Sequence, residues 1–147
     1  MKRFILICVA LLVVATGFAQ VKKVDLDIKT LKELVGKADR VKMNELLVYQ
    51  GELNGEEIFQ GFSEYEQLQL AYRCIFKNEI LQRITFGTPS TAGYNIDLLM
   101  TYKIDPYKKD KYDYRNYPMR FFYKWDDRQI IVDHQDKEII VFIPDAH

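Results

Sequence analysis

The fold is decided by residues 119–143, which read MRFFYKWDDRQIIVDHQDKEIIVFI. Three runs rich in β-branched and aromatic residues predict strands, at 119–125, 129–133 and 138–143. Asp126-Asp127 and residues 134–137 supply the polar turns between them. Because such short connections allow only antiparallel neighbours, this end of the chain predicts an antiparallel sheet.

Upstream of this stretch, alternation predicts further strands. Apolar side chains occupy every second position from Tyr94 to Ile104. This alternation predicts a strand whose other face is mostly exposed to solvent. Residues 41–53 predict another strand, and residues 58–62 the strand that returns beside it. Asn54-Gly55 lies between them and supplies the two positive-φ positions of a type I′ hairpin turn.

A first helix is predicted near the start of the domain. Apolar residues recur at helical spacing from Val24 to Val35. Asp27 is placed to cap the N-terminus of this helix, and Gly36 to end it.

A second helix is predicted by the pattern of a capping box. Ser63 and Glu66 have the required spacing, and a broad apolar face follows as far as Phe76. We expect this helix to end near Asn78. Residues 80–86 then predict a strand, with a longer helix as the alternative that the sequence leaves open.

Strands are not separated by crossover helices in this order of elements. We therefore expect an α+β fold in which an antiparallel sheet of about five to seven strands carries two helices on one face. Residues 20–147 should form a single α+β domain, with its core between about residues 24 and 143.

Composition and charge exclude several classes of protein. The chain has 147 residues, of which 48% are hydrophobic and 29% charged, and this composition is globular rather than disordered or fibrous. Basic and acidic residues number 21 each, so the formal net charge is zero. Electrostatics therefore give no reason to expect nucleic acid or an anionic membrane as a partner.

The N-terminus has the three parts of a secretory signal peptide. Lys2 and Arg3 are basic, residues 4–15 are an unbroken apolar run, and Gly17 and Ala19 are the small residues of a cleavage site. Twelve apolar residues are too few for a transmembrane span, which needs about 20. We expect residues 1–19 to be removed and the mature chain to be periplasmic or extracellular, with no transmembrane segment.

The residue types that carry most catalytic chemistry are scarce. After the leader there are one cysteine, Cys74, and two histidines, His134 and His147. These are too few for a four-ligand zinc site, and no cofactor-binding motif occurs, so we predict no metal and no cofactor. Cys74 is interpreted as a packing residue and residues 133–138 as a hairpin turn rather than as a metal or catalytic cluster.

The segment from Tyr102 to Trp125 holds six of the ten tyrosines and the only tryptophan. Residues 105–118 show no apolar periodicity and predict a loop. Tyrosine offers a large, rigid contact area and a hydroxyl for hydrogen bonding. We predict a binding surface in this segment, and the alternative is that the rings fold back onto the sheet. Its members are Tyr107, Tyr112, Tyr114, Tyr117 and Trp125.

Three functions are compatible with these observations. The favoured one is a non-catalytic binding module of the bacterial cell envelope or exterior that recognises a glycan, or a protein or peptide, through the tyrosine-rich segment. The second is a small exported hydrolase that uses carboxylates or His134. The third is an inhibitor or immunity-type protein that blocks one partner protein.

The signal peptide leads to a direct prediction. We expect cleavage after Ala19, so that the exported protein begins at Gln20. Intact-mass measurement of protein recovered from the periplasm or the medium tests this. A mass that includes residues 1–19 would contradict it.

Overall fold

The computed structural model describes residues 26–113 and 115–144. Within these ranges lie eight strands: β1 (Val48–Leu53), β2 (Glu56–Ser63), β3 (Leu68–Lys77), β4 (Ile80–Gly87), β5 (Lys108–Tyr112), β6 (Pro118–Trp125), β7 (Arg128–Asp133) and β8 (Glu138–Phe142). Three α-helices accompany them: α1 (Ile28–Leu34), α2 (Arg40–Leu46) and α3 (Thr91–Ile96), the last continuing as a π-helix over Asp97–Thr101. The predicted α+β class is confirmed. The sheet has eight strands rather than five to seven, and the described chain has three α-helices rather than two.

The eight strands form one antiparallel sheet in the order β1-β2-β3-β4-β8-β7-β6-β5. Each half is a four-stranded meander, and the last strands of the two halves, β4 and β8, pair with each other. Because β5 lies at the far edge, the chain crosses the sheet between β4 and β5. Helix α3 and the π-helix lie within that crossing.

The core lies between the helices and one face of the sheet, called here the covered face. A row of directly paired residues crosses this face from Phe121 through Val132, Ile139 and Phe86 to Tyr72. All five are buried. The buried residues of α1, which are Ile28, Leu31 and Leu34, belong to the same core. No helix of the described ranges is long and apolar enough to span a bilayer.

The first helix forms largely as predicted. The Asp27 side chain accepts a hydrogen bond from Thr30 N at 2.7 Å, which caps the N-terminus. The chain then turns at Gly36, which has φ +85°. Just before this turn, the Val35 carbonyl accepts a buried hydrogen bond of 2.7 Å from Arg128 Nε. This bond joins the end of α1 to β7. Val24 and the predicted signal peptide lie outside the described residues.

The predicted helix after Ser63 is wrong, because residues 68–77 form strand β3. Ser63 Oγ does accept a hydrogen bond from Glu66 N at 3.1 Å, but within the turn between β2 and β3. Leu70, Tyr72 and Cys74 alternate on the covered face. The strand predicted at 80–86 is confirmed as β4.

The predicted strand at 94–104 is also wrong, because this segment holds α3 and the π-helix. Tyr94 and Leu98 are buried, whereas Ile96 is 57% exposed and Met100 64% exposed. Positions i and i+4 have the same parity, so one helical face can imitate strand alternation. The turn at Asn54 and Gly55 is confirmed, with φ of 53° and 79°.

Two boundaries also differ from the prediction. Residues 40–46 form α2, which is capped by the Asp39 side chain, so the predicted strand at 41–53 begins only at Val48. The predicted loop at 105–118 contains edge strand β5, which pairs with β6. Edge strands with several lysines are common because charge discourages pairing with a second chain. The three strands predicted in residues 119–143 are confirmed.

The close packing at Gly36 generates a stability prediction. A Cβ atom there would lie 2.7 Å from both Arg128 Nη2 and Ile143 Cδ1, whereas one at Gly55 (φ +79°) would meet nothing within 4 Å. Gly36→Ala should lower the free energy of unfolding by about 2–4 kcal/mol, from backbone strain plus overpacking. Gly55→Ala, which carries the strain alone, should cost about 1–2 kcal/mol.

Urea unfolding followed by Trp125 fluorescence measures both variants. Equal losses would show that the packing around Gly36 adds nothing to the effect of its positive φ.

Candidate binding surface

The second face of the sheet, called here the open face, carries no helix of the described chain. Its middle row runs through directly paired residues on six strands: Ile58, Arg73, Thr85, Ile140, Ile131 and Phe122. Most side chains of this row are half-buried. Apolar atoms of the open face therefore remain in contact with water.

A depression of about 200 Å³ lies where β6, β7 and β8 meet on this face. Its floor is a contiguous apolar set from one cross-strand row, namely Phe122, Ile131 and Ile140. Its rim is charged and consists of Arg120, Asp133, Asp136 and Glu138. Three of these rim residues, Arg120, Asp133 and Glu138, come from the next row of the sheet, and Asp136 comes from the turn between β7 and β8.

The rim is held in place by its own hydrogen bonds. Arg120 Nε donates to Asp133 Oδ2 at 2.7 Å, and the other carboxylate oxygen accepts from the backbone N–H groups of Gln135 and Asp136 at 3.0 Å. Burial acts to raise the pKa of Asp133, but these hydrogen bonds and the guanidinium outweigh it, and the pKa is lowered. Asp133 is therefore a fixed, ionised acceptor at neutral pH.

A second depression, of about 360 Å³, lies on the same face at the opposite end of β4 and β8. It is lined by Ile75, Gln82, Arg83, Phe142 and Ile143. Arg83 is paired with Glu56, whose carboxylate also lies 3.7 Å from Arg73. Both depressions thus place charged groups beside apolar ones.

The predicted tyrosines lie mainly at the β5 edge of the sheet. Tyr107 is 56% exposed, its ring centroid lies 6.3 Å from that of Phe122, and its hydroxyl lies 3.4 Å from Gln129 Oε1. Tyr112 and Tyr117 are also exposed, and Tyr112 pairs with Pro118 at the end of the same hairpin. Tyr114 lies outside the described residues. Tyr107 therefore borders the smaller depression.

Trp125 is separated from these rings, because its pairing with Arg128 places it on the covered face. Its ring packs against that of Tyr102, with the ring centroids 4.6 Å apart and the planes tilted by 41°, and the Lys32 ammonium lies 5.2 Å from its centroid. The structure thus brings Tyr107 to the open face and leaves Trp125 with the helices.

Sequence reasoning missed the depression itself. A signal was present, since β6, β7 and β8 each contain two adjacent apolar residues, Phe121-Phe122, Ile130-Ile131 and Ile139-Ile140. Such pairs put apolar groups on both faces of a sheet. One member of each pair fills the core and the other forms the floor.

Cys74 and His134, whose side chains could form a thiolate–imidazole pair only if they were in contact, lie far apart in the sheet. Cys74 is on β3 rather than on a helix, is buried on the covered face, and burial raises the pKa of its thiol. His134 follows β7, and two strands, β4 and β8, separate β3 from β7. His147 lies outside the described residues, among which no group of three or more His, Cys, Asp or Glu is placed to hold a metal ion.

The contacts of His134 indicate a structural role for its side chain. Its Nδ1 lies 2.8 Å from Thr91 Oγ1, at the start of α3, and its ring meets Phe121 edge-on. Burial, together with the charge of Lys137, lowers the pKa of the imidazole. The ring therefore joins the β7–β8 turn to α3 in its neutral form.

Comparison with known proteins gives no lead. No protein-family model, curated protein or solved structure matches this chain significantly.

His134 generates a prediction on pH. Because folding lowers its pKa, the folded state resists protonation, and stability should fall as the pH drops below about 6.5, the ordinary value of a histidine in an unfolded chain. Urea unfolding of the wild type and of His134→Gln should show a larger loss between pH 7.5 and 5.5 in the wild type. Parallel losses in the two proteins would contradict the assignment.

Proposed function

We propose that this protein is a non-catalytic binding module of the bacterial cell exterior, which contacts its partner through the open face and the tyrosines at its β5 edge. The observation that carries the proposal is the apolar floor of the smaller depression, with a fixed charged rim on one side and the exposed ring of Tyr107 on the other. The signal-peptide pattern of residues 1–19 supports export.

The state of the polar groups favours binding over catalysis. A general acid needs a raised pKa in a site that a substrate can reach, whereas the pKa of Asp133 is lowered by its hydrogen bonds. His134 is hydrogen-bonded to Thr91, which is itself buried. Fixed acceptors and donors beside apolar surface are what recognition requires.

The size of the surface favours a macromolecule as the partner. The two depressions share β8, with Phe142 in one and Ile140 in the other, and Tyr107 and Tyr112 extend the same region to the sheet edge. A single small ligand would leave most of this surface unused. Aromatic rings beside an apolar core and a polar rim are typical of protein interfaces, and tyrosine also stacks on sugars.

The tyrosines provide the test. In the triple variant Tyr107→Ser, Tyr112→Ser and Tyr117→Ser, three exposed rings are lost, so the free energy of unfolding should change by less than about 1 kcal/mol. The control Tyr123→Ser removes a fully buried ring and should cost about 2–4 kcal/mol.

Binding is read in the same variants by NMR of isoleucine methyl groups, which report on the two faces separately. Ile58, Ile75, Ile131 and Ile140 lie on the open face; Ile84, Ile130 and Ile139 lie on the covered face. The probes are chitotetraose and blocked tripeptides with lysine, glutamate or leucine at the centre.

At least one probe should shift the open-face methyl groups alone, and the triple variant should weaken that response. Shifts confined to the covered face, or none with any probe, would contradict the proposed function. Hydrolysis of chitotetraose that is lost in His134→Gln would support the hydrolase instead.

A further inference from the structure

We infer that the depression between β6, β7 and β8 binds a basic side chain, lysine or arginine, of a protein partner. The inference rests on the proposed function and gives it a ligand chemistry. It is carried by the charge of the rim, the length of the apolar floor and the aromatic rings beside it.

The rim has an excess of negative charge. It contains three carboxylates and one guanidinium, that of Arg120. Arg120 is paired with Asp133, and Glu138 is paired with Arg73 of β3, which lies two strands away across β4. The third carboxylate, Asp136, is 54% exposed and has only a loose contact of 3.7 Å with Arg120 Nη2. Its charge is therefore available to a cation from outside.

The floor suits the stem of a long basic side chain. Phe122, Ile131 and Ile140 follow one another across three strands, so the apolar strip spans two strand spacings, or about 10 Å. Lysine and arginine lay their methylene groups along such surfaces while the charged head stays in contact with water. An acidic side chain would meet the excess negative charge, and a purely apolar one would leave Asp136 without a cation.

The rings at the outer side of the floor favour the same ligand. Phe122 already accepts a cation, because Lys108 Nζ lies 4.9 Å from its ring centroid while also lying 3.7 Å from Asp110. Tyr107 stands next to Phe122 with an exposed ring. Because Lys108 occupies the face of Phe122, a guanidinium or ammonium group entering from this side would meet the exposed ring of Tyr107 before it reached the carboxylates.

A protein is favoured as the source of the cation over a free polyamine. The depression is one part of a face that continues through Ile140 and Phe142 to the second depression. A side chain presented by a protein surface lets the rest of that surface cover the remaining apolar groups. A free alkylammonium would fill the smaller depression alone.

The test uses the mature chain, residues 20–147, and titrations followed on the methyl groups of Ile131 and Ile140. The probe is N-acetyl-lysine methylamide. Two matched ligands test the methylene chain and the charge of this probe separately. The norleucine derivative keeps the methylene chain without the ammonium group, and the 2,3-diaminopropionate derivative keeps the ammonium group without the long methylene chain. The lysine probe should bind at least about threefold more tightly than either, as expected for an exposed ion pair.

The charge is tested by Asp136→Asn, with Glu52→Gln as the control. Glu52 is an exposed carboxylate on β1, at the other edge of the sheet, so the control makes the same change in net charge far from the depression. Asp136→Asn should abolish the preference for lysine over norleucine, and Glu52→Gln should leave it intact. Added salt should reduce the preference, because the carboxylate is exposed.

Several outcomes would overturn the inference while leaving the proposed function in place. These are equal binding of the norleucine probe, an unchanged preference in Asp136→Asn, or a response of the open face to chitotetraose only. Putrescine binding more tightly than the lysine probe would identify a polyamine site instead. The absence of any response to any probe would remove both proposals.

Discussion

The pairing of β4 with β8 is the contact on which the rest of the structure depends. These are the last strands of the two meanders, and their ladder joins Arg83–Gly87 to Glu138–Phe142. On the covered face it sets Phe86 beside Ile139, which makes one core out of two halves. On the open face it sets Thr85 beside Ile140. The ion pairs of Glu56 with Arg73 and Arg83, which belong to the first half, therefore lie next to the smaller depression, which belongs to the second. Without this ladder, each half would be a small four-stranded sheet with an exposed central edge.

The open face is a consequence of the same pairing. Because β8 occupies the place next to β4, β5 lies at the opposite edge, and the chain must cross three strands to reach it. The crossing carries α3 and the π-helix over the face that α1 already covers. All helices of the described chain thus pack against the covered face of the sheet. The open face is uncovered because the described part of the chain has no further helix to place there.

Local signals in the sequence were sufficient for the hairpin at Asn54-Gly55 and for the final three strands, where turn chemistry and short connections leave one solution. They failed where two periods coincide. Tyr94, Leu98 and Tyr102 satisfy both alternation and a helical i, i+4 face, and only tertiary packing exposes Ile96 and Met100. Ser63 makes the hydrogen bond of a cap but in a turn. The depression depends on register across β6, β7 and β8, which no local pattern contains.

The separation of the two faces has an energetic consequence for binding. Residues that stabilise the fold, such as Phe86 and Tyr123, are fully buried, while Phe122, Ile131 and Ile140 are only partly buried. Burying the rest of their apolar surface is worth about 25 cal/mol per Å², and this free energy becomes available only when a partner covers the open face. Since the rim is already fixed by Asp133, binding need not order it. Substitutions on the open face should therefore change the proposed recognition without disturbing the core on the covered face.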